Sequence, residues 1–123
     1  MIWPVMGWIS SPFGEREGRL HKGLDLAANM GYPILAVQKG VVTYADEMGT
    51  YGLMVTVDHG NGLETVYAHA ASLLVQKGES VEQGQVIALV GSTGRSTGPH
   101  LHLEVRVNGK QVNPLLFLAN TKV

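Results

Sequence analysis

With 123 residues, 45% of them hydrophobic and 15% charged, the chain has the composition of one ordered globular domain, and a disordered segment is excluded. We therefore expect a single domain over residues 1–123, acting as a monomer. The formal net charge of −1 offers no general attraction to nucleic acid, so no nucleic-acid partner is expected. Because the chain has no cysteine, a metal ion could be held only by histidine and carboxylate side chains.

The N-terminal residues, Met1-Ile2-Trp3-Pro4-Val5, form neither a basic leader nor a long apolar stretch. We therefore predict no signal peptide and no membrane-spanning segment in this chain. Two alternatives follow: the protein is cytoplasmic, or the segment that exports it is missing from this sequence.

Sixteen glycines and short apolar runs separated by turn residues predict a mostly β domain with little room for long helices. Strands are predicted over 40–45, 53–58 and 63–70, and their tight connections indicate an antiparallel meander. Only residues 114–119, which begin with a proline, suggest a helical turn or two near the C-terminus.

Residues 100–107 have the most regular pattern in the chain. Apolar and polar residues alternate strictly there, as His100, Leu101, His102, Leu103, Glu104, Val105, Arg106 and Val107. This alternation predicts a half-buried strand with one polar face, and Asn108-Gly109 supplies a hairpin turn after it. His100 and His102 should therefore point the same way.

Two histidines on one face suggest a metal site, because zinc favours imidazole nitrogen and carboxylate oxygen and a catalytic site usually has three protein ligands. The best additional candidates are His21 and Asp25, which are four residues apart around Gly23. The interior glycine favours a loop or extended segment over a helix.

The two remaining histidines have different interpretations. His69 ends the predicted strand 63–70, where alternation places it on the face of Thr65 and Tyr67. His59 lies beside the Gly60-Asn61-Gly62 turn, and we expect it to make structural hydrogen bonds rather than bind metal. Since the His-Glu-x-x-His motif is absent, a histidine that does not bind metal would have to serve as the general base of a hydrolase.

A set of motifs over nearly the whole chain points to one family. They are Ser10-Ser11-Pro12-Phe13-Gly14, His21-Lys22-Gly23-Leu24-Asp25, His59-Gly60-Asn61-Gly62, Tyr67-Ala68-His69, Gly91-Ser92-Thr93-Gly94-Arg95-Ser96-Thr97-Gly98-Pro99-His100-Leu101-His102 and Val112-Asn113-Pro114. In these residues the chain resembles the lysostaphin-type, or LytM-type, zinc metallopeptidases of bacterial cell walls.

The resemblance implies a single antiparallel β-sheet domain with an open groove and few helical turns, related to the barrel-sandwich hybrid. It implies one Zn²⁺ per chain, held by His21, Asp25 and His102, with His69 and His100 as catalytic histidines that do not bind the metal. The expected activity is hydrolysis of peptide crosslinks or stem-peptide bonds of peptidoglycan, outside the cytoplasmic membrane. The groove candidates are Tyr67, Ser92, Thr93, Ser96 and Thr97.

Two alternatives stay open at this point. Some domains that resemble this family have lost their metal ligands and bind and activate cell-wall amidases, although all five expected site residues are present here. A carrier domain of the biotinyl or lipoyl type is suggested by the strand-turn pattern of residues 75–87, although no lysine lies at a plausible modification hairpin.

Overall fold

Strands dominate the computed structural model, which describes residues 1–119. In chain order they are β1 (Trp8–Ser11), β2 (Gly14–Arg16), β3 (Arg19–His21), β4 (Leu24–Ala27), β5 (Pro33–Leu35), β6 (Gly40–Glu47), β7 (Leu53–Gly60), β8 (Leu63–Leu73), β9 (Ser80–Val81), β10 (Val86–Val90), β11 (His100–Val107) and β12 (Lys110–Val112). Two 3₁₀ turns, Gly49–Tyr51 and Pro114–Leu116, are the helical elements of the described chain. Residues 120–123 of the predicted domain lie outside the described residues.

A ten-stranded antiparallel sheet carries the fold. Its central order is β1-β4-β11-β8-β7-β6-β9, with β10 paired to β5 and β8, and β12 paired to β11. Strands β2 and β3 form a separate hairpin. The predicted fold class, a mostly β domain with an antiparallel meander through β6, β7 and β8, is confirmed.

The predicted helical turn near the C-terminus is also present, as the 3₁₀ turn Pro114–Leu116. The Asn113 side chain accepts a hydrogen bond from the Leu115 amide and so caps the turn. Among residues 1–119 there is no helix with the length and apolarity that a bilayer crossing requires.

The main hydrophobic core lies on one face of β8 and β11. Leu101, Leu103 and Val105 of β11 are fully buried, as their alternation predicts. Leu103 pairs with Tyr67 of β8, whereas His102 pairs with Ala68. Because paired residues share a face, the core and the polar residues of β11 occupy opposite sides of the sheet.

Tyr67 belongs to this core, so the prediction that it lines the groove is wrong. Its side chain is fully buried, and its hydroxyl accepts a hydrogen bond of 3.0 Å from the Val37 amide and bonds Thr65 at 2.9 Å. Burial raises the pKa of Tyr67 to about 12, so the phenol stays neutral at physiological pH. The residue therefore anchors the 33–37 segment to the sheet.

Replacing Tyr67 by Phe should remove the acceptor of the buried Val37 amide. Leaving such a group unsatisfied costs about 1–3 kcal/mol, and we expect a loss of this size in the free energy of unfolding, measured by urea denaturation. Tyr32→Phe, at an exposed tyrosine, is the control and should change stability by less than about 0.5 kcal/mol. Equal stability of Tyr67→Phe and the unmodified protein would contradict this account.

Candidate metal and catalytic site

Three predicted ligand residues meet at one end of the sheet. His21 ends β3, and Asp25 of β4 pairs directly with His102 of β11. Asp25 Oδ2 lies 3.3 Å from His21 Nε2, and Asp25 Oδ1 lies 2.8 Å from His102 Nδ1. One ligand atom from each residue lies within 4.8 Å of the others, which gives a donor set that could hold a metal ion.

Gly23 allows this approach between the β3–β4 connection and β11. A Cβ at this position would lie 2.6 Å from His102 Cε1 and 2.6 Å from the Leu103 carbonyl oxygen. Any larger residue would therefore displace the ring of a predicted ligand or the strand that carries it.

His69 and His100 lie beside the three ligand residues, as the resemblance implies. His100 Nε2 is 3.9 Å from Asp25 Oδ1, and the His69 and His100 ring centroids are 4.8 Å apart. The His69 ring centroid is 6.0 Å from that of His102. The structure therefore brings all five predicted metal and catalytic residues into one cluster.

His69 reaches this cluster through an irregularity in β8. Alternation predicts it on the face of Tyr67, which is the core face, and this prediction is wrong. The β7–β8 register shifts by one residue between the Leu53–Ala70 and Val55–Tyr67 pairs, and His69 has a φ of 66°. This left-handed conformation is uncommon outside glycine and marks a β-bulge, which turns the His69 ring to the side of His102.

Main-chain oxygens fix the tautomers of three histidines. A carbonyl oxygen can only accept a hydrogen bond, so each facing Nδ1 must carry a proton and the Nε2 of the neutral ring keeps its lone pair. The pairs are His21 Nδ1 to Pro12 O at 2.8 Å, His69 Nδ1 to Thr93 O at 2.7 Å and His100 Nδ1 to Gly98 O at 2.9 Å.

The His102 ring has the opposite orientation, because Nε2 rather than Nδ1 faces its acceptor, the Glu104 carboxylate. Its Nε2 donates to Glu104 Oε2 at 2.8 Å, which leaves Nδ1 facing Asp25. Glu104 is only 1% exposed, and it accepts hydrogen bonds from the Tyr51 hydroxyl at 2.8 Å and from Arg106 Nε at 2.9 Å. Although burial alone would raise the pKa of Glu104, these hydrogen bonds lower it to about 2.

Sequence reasoning missed the role of Glu104. The signal was present, because Glu104 follows His102 at strand spacing on the same polar face. A carboxylate beside a ligand histidine is a common outer partner in metal sites, where it sets the ring orientation. Alternation alone could not show that this part of the polar face is buried.

The charges of the cluster depend on one another. Burial opposes the ionisation of both Asp25 and His102, but the hydrogen bond with His102 and the charge interactions with His102, His21 and His100 together outweigh it and lower the pKa of Asp25. The hydrogen bonds with Asp25 and Glu104 raise the pKa of His102 to about 9. Burial lowers the pKa of His69, so this ring is neutral at pH 7.

Hydroxyl groups of the 92–99 loop make hydrogen bonds within the loop and to the adjoining strands. The Thr93 hydroxyl donates to the Ala70 carbonyl oxygen at 2.6 Å and accepts from the Leu53 amide at 3.1 Å. Ser92 donates to Ser96, whose hydroxyl donates to the Gly98 carbonyl oxygen. Of the four predicted groove hydroxyls in this loop, those of Ser92, Thr93 and Ser96 therefore make internal hydrogen bonds. The fourth residue, Thr97, is exposed.

Two depressions flank the cluster. One, of about 240 Å³, is lined by Lys22, Tyr51, Arg95, His69 and His102, among others. The second, of about 580 Å³, is lined by Glu17, Arg19, Leu20, His21 and Arg95. A third, of about 560 Å³, is mostly apolar, includes Trp3 and Tyr32 and contains none of the clustered residues.

Two solved structures share this fold. The catalytic domain of lysostaphin from Staphylococcus simulans superposes with a TM-score of 0.78 at 30% identity, covering 90% of this chain and 89% of that chain. A zinc-containing peptidase from Vibrio cholerae gives a TM-score of 0.85 at 37% identity, covering 90% of this chain and 37% of that one.

Two curated relatives are similar over most of this chain. The DD-carboxypeptidase/endopeptidase Mpg of Neisseria meningitidis is 50% identical over 113 residues, which is 87% of this chain and 26% of that protein. The murein hydrolase activator NlpD of Escherichia coli is 40% identical over 117 residues, 94% of this chain and 30% of that protein. This chain therefore spans less than a third of either relative.

The family model described as Peptidase family M23 matches residues 19–114. This range contains His21, Asp25, His69, His100 and His102, and thus every residue of the cluster. Because the match covers most of the chain and agrees with the fold of the lysostaphin catalytic domain, this protein belongs to peptidase family M23 and is of the lysostaphin type.

Proposed function

We propose that this chain is the catalytic domain of a zinc-dependent endopeptidase that hydrolyses peptide crosslinks or stem-peptide bonds of peptidoglycan. The observation that carries the proposal is the five-residue cluster, in which three potential ligands adjoin two histidines whose Nε2 atoms keep their lone pairs. Similarity to Mpg, a DD-carboxypeptidase/endopeptidase by name, supports the same reading.

The donor set fits zinc. Two imidazole nitrogens and one carboxylate oxygen are ligands found around catalytic zinc, which keeps a further position open. When bound, zinc supplies a Lewis acid that lowers the pKa of water from 15.7 to about 7. His21, Asp25 and His102 would hold it, with His21 Nε2 and His102 Nδ1 as the nitrogen donors.

His69 and His100 would move the protons. In the neutral rings each Nε2 is an acceptor, so either can take a proton from the attacking water and afterwards donate to the oxyanion or the leaving amine. We assign the first transfer to His100, whose Nε2 is 3.9 Å from Asp25 Oδ1, and the oxyanion contact to His69. Burial lowers the pKa of His69, so its ring is neutral at pH 7.

The alternative is a non-hydrolytic domain that binds and activates a cell-wall amidase, and similarity to NlpD favours it. An activator has no need for a complete ligand set with two correctly oriented histidines, so the intact cluster supports hydrolysis. With either activity the substrate lies outside the cytoplasmic membrane, and we propose an extracytoplasmic location and action as a monomeric domain.

Zinc-loaded protein should release soluble muropeptides from purified sacculi, with mass spectrometry identifying a cleaved peptide bond. His100→Ala and His69→Ala should keep zinc but lose roughly 10²-fold or more in turnover, because each removes a proton-transfer group. Chelated protein, inactive until zinc is restored, is the control. Full turnover by both variants would refute the assigned roles, and stimulation of an amidase without any cleavage would favour the alternative.

Replacing Glu104 by Ala should weaken zinc binding by roughly 10- to 100-fold, because His102 Nε2 loses the carboxylate that orients the ring and raises its basicity. Zinc affinity is measured by chelator competition. Glu64→Gln is the matched control, since Glu64 also lies near Arg106, at 3.7 Å, without contacting His102. An unchanged zinc affinity in Glu104→Ala would contradict this role.

Zinc binding should also release a proton. The metal-free His102 has a pKa of about 9, so below that pH its Nδ1 carries a proton that zinc must displace. The apparent affinity should therefore rise about tenfold per pH unit between pH 7 and 9 and level off above. Calorimetry in buffers of different ionisation enthalpy measures the released proton, and a flat profile over this range would be inconsistent with the raised pKa.

A further inference from the structure

We infer that Lys22 and Arg95 form a subsite for a carboxylate group of the substrate, next to the bond that is cut. The inference rests on the proposed hydrolysis, but binding of a carboxylate at the subsite can be measured without cleavage. It narrows the substrate from peptidoglycan peptides in general to those with a free carboxylate beside the scissile amide.

Both cations line the 240 Å³ depression that also contains His69 and His102. A substrate group in this space would therefore contact a catalytic histidine, a potential metal ligand and the two positive charges at the same time.

The main chain of each cation is fixed to the site. Lys22 follows His21 directly and precedes Gly23, which packs against the His102 ring. The Arg95 amide donates a hydrogen bond of 2.8 Å to the Thr50 carbonyl oxygen on the opposite wall. A Cβ on the neighbouring Gly94 would lie 2.4 Å from the Gly52 nitrogen, so the loop is packed closely against that wall.

The positive charge in this space has no internal counterion. Among residues 1–119, neither Lys22 nor Arg95 forms an ion pair. The acidic residue that lines the same depression, Glu104, is buried and already paired with Arg106. Asp25 is committed to the two ligand histidines.

A substrate carboxylate would complete this charge balance through charge-assisted hydrogen bonds. In peptidoglycan such a group occurs where diaminopimelate donates the scissile nitrogen and keeps the carboxylate on the same carbon. A polyglycine bridge has no charged group at this place. The second depression also contains Arg95 but adds Arg19 and the exposed carboxylate of Glu17, so its charge is mixed and the carboxylate subsite is assigned to the Lys22 side.

The test compares two synthetic crosslinked stem peptides joined by a D-alanyl-diaminopimelate bond. They are identical except that the diaminopimelate carboxyl beside the scissile nitrogen is free in one and a carboxamide in the other. The kcat/KM of each is measured with zinc-loaded protein, and the Kd of each is measured with zinc-loaded His100→Ala chain, so that binding is read without turnover.

The unsubstituted protein should prefer the free carboxylate by about tenfold, the size expected for one or two charge-assisted hydrogen bonds. Lys22→Met/Arg95→Gln should reduce this preference to about twofold or less, because it removes both charges that would bind the carboxylate. Lys77→Met/Lys110→Met removes two exposed lysines that do not line this depression and should keep the preference. Zinc content is determined for every variant because Lys22 adjoins a ligand.

The outcomes separate the subsite from the proposed hydrolysis. Cleavage of both peptides with equal kcat/KM, or a preference that survives in Lys22→Met/Arg95→Gln, would overturn the subsite and leave the hydrolase intact. Selective binding that is lost in that variant, without cleavage by the unsubstituted protein, would support the subsite and overturn hydrolysis. The absence of both cleavage and selective binding would overturn both.

Discussion

The site depends on the antiparallel pairing of β4 with β11. Its register sets Asp25 opposite His102 and Ala27 opposite His100, so one strand contributes the carboxylate and the other both histidines. A slip of one residue would turn every side chain of one strand to the opposite face, which would bury the histidines and expose Leu101 and Leu103. Burial of those leucines therefore stabilises the register on which the histidine and aspartate cluster depends.

The second constraint is the polar network beneath His102. Glu104 is nearly inaccessible to solvent and receives hydrogen bonds from His102, Tyr51 and Arg106. A buried ionic network contributes little net stability, because desolvation offsets the attraction between its charges. Its consequence is geometric: the hydrogen bond from His102 Nε2 to Glu104 orients the ring so that Nδ1 faces Asp25.

Local periodicity was enough to predict β11, the meander and the shared face of His100 and His102, because each depends on a strand's two-residue repeat. The convergence of His21 and Asp25 on His102 is a long-range contact that local periodicity cannot show, and it was indicated by the ligand types that zinc favours and by the family resemblance. Tyr67 and His69 were predicted to share one face, which is wrong because a bulge changes the parity of β8 without any mark in the alternation. His69 lies in the cluster as expected, whereas Tyr67 lies in the core. Glu104 was missed because a polar residue on a polar face gives no sign of its burial.

Whether a histidine ring donates its hydrogen bond to a main-chain oxygen or to a side chain has an evolutionary consequence. His21, His69 and His100 are oriented by main-chain oxygens, which every amino acid possesses, so exchanges at Pro12, Thr93 or Gly98 that preserve the local backbone leave those acceptors in place. His102 instead relies on a side chain that a single codon change can remove. Position 104 is therefore the place where natural variation could change the orientation of the His102 ring while the other residues of the cluster stay unchanged.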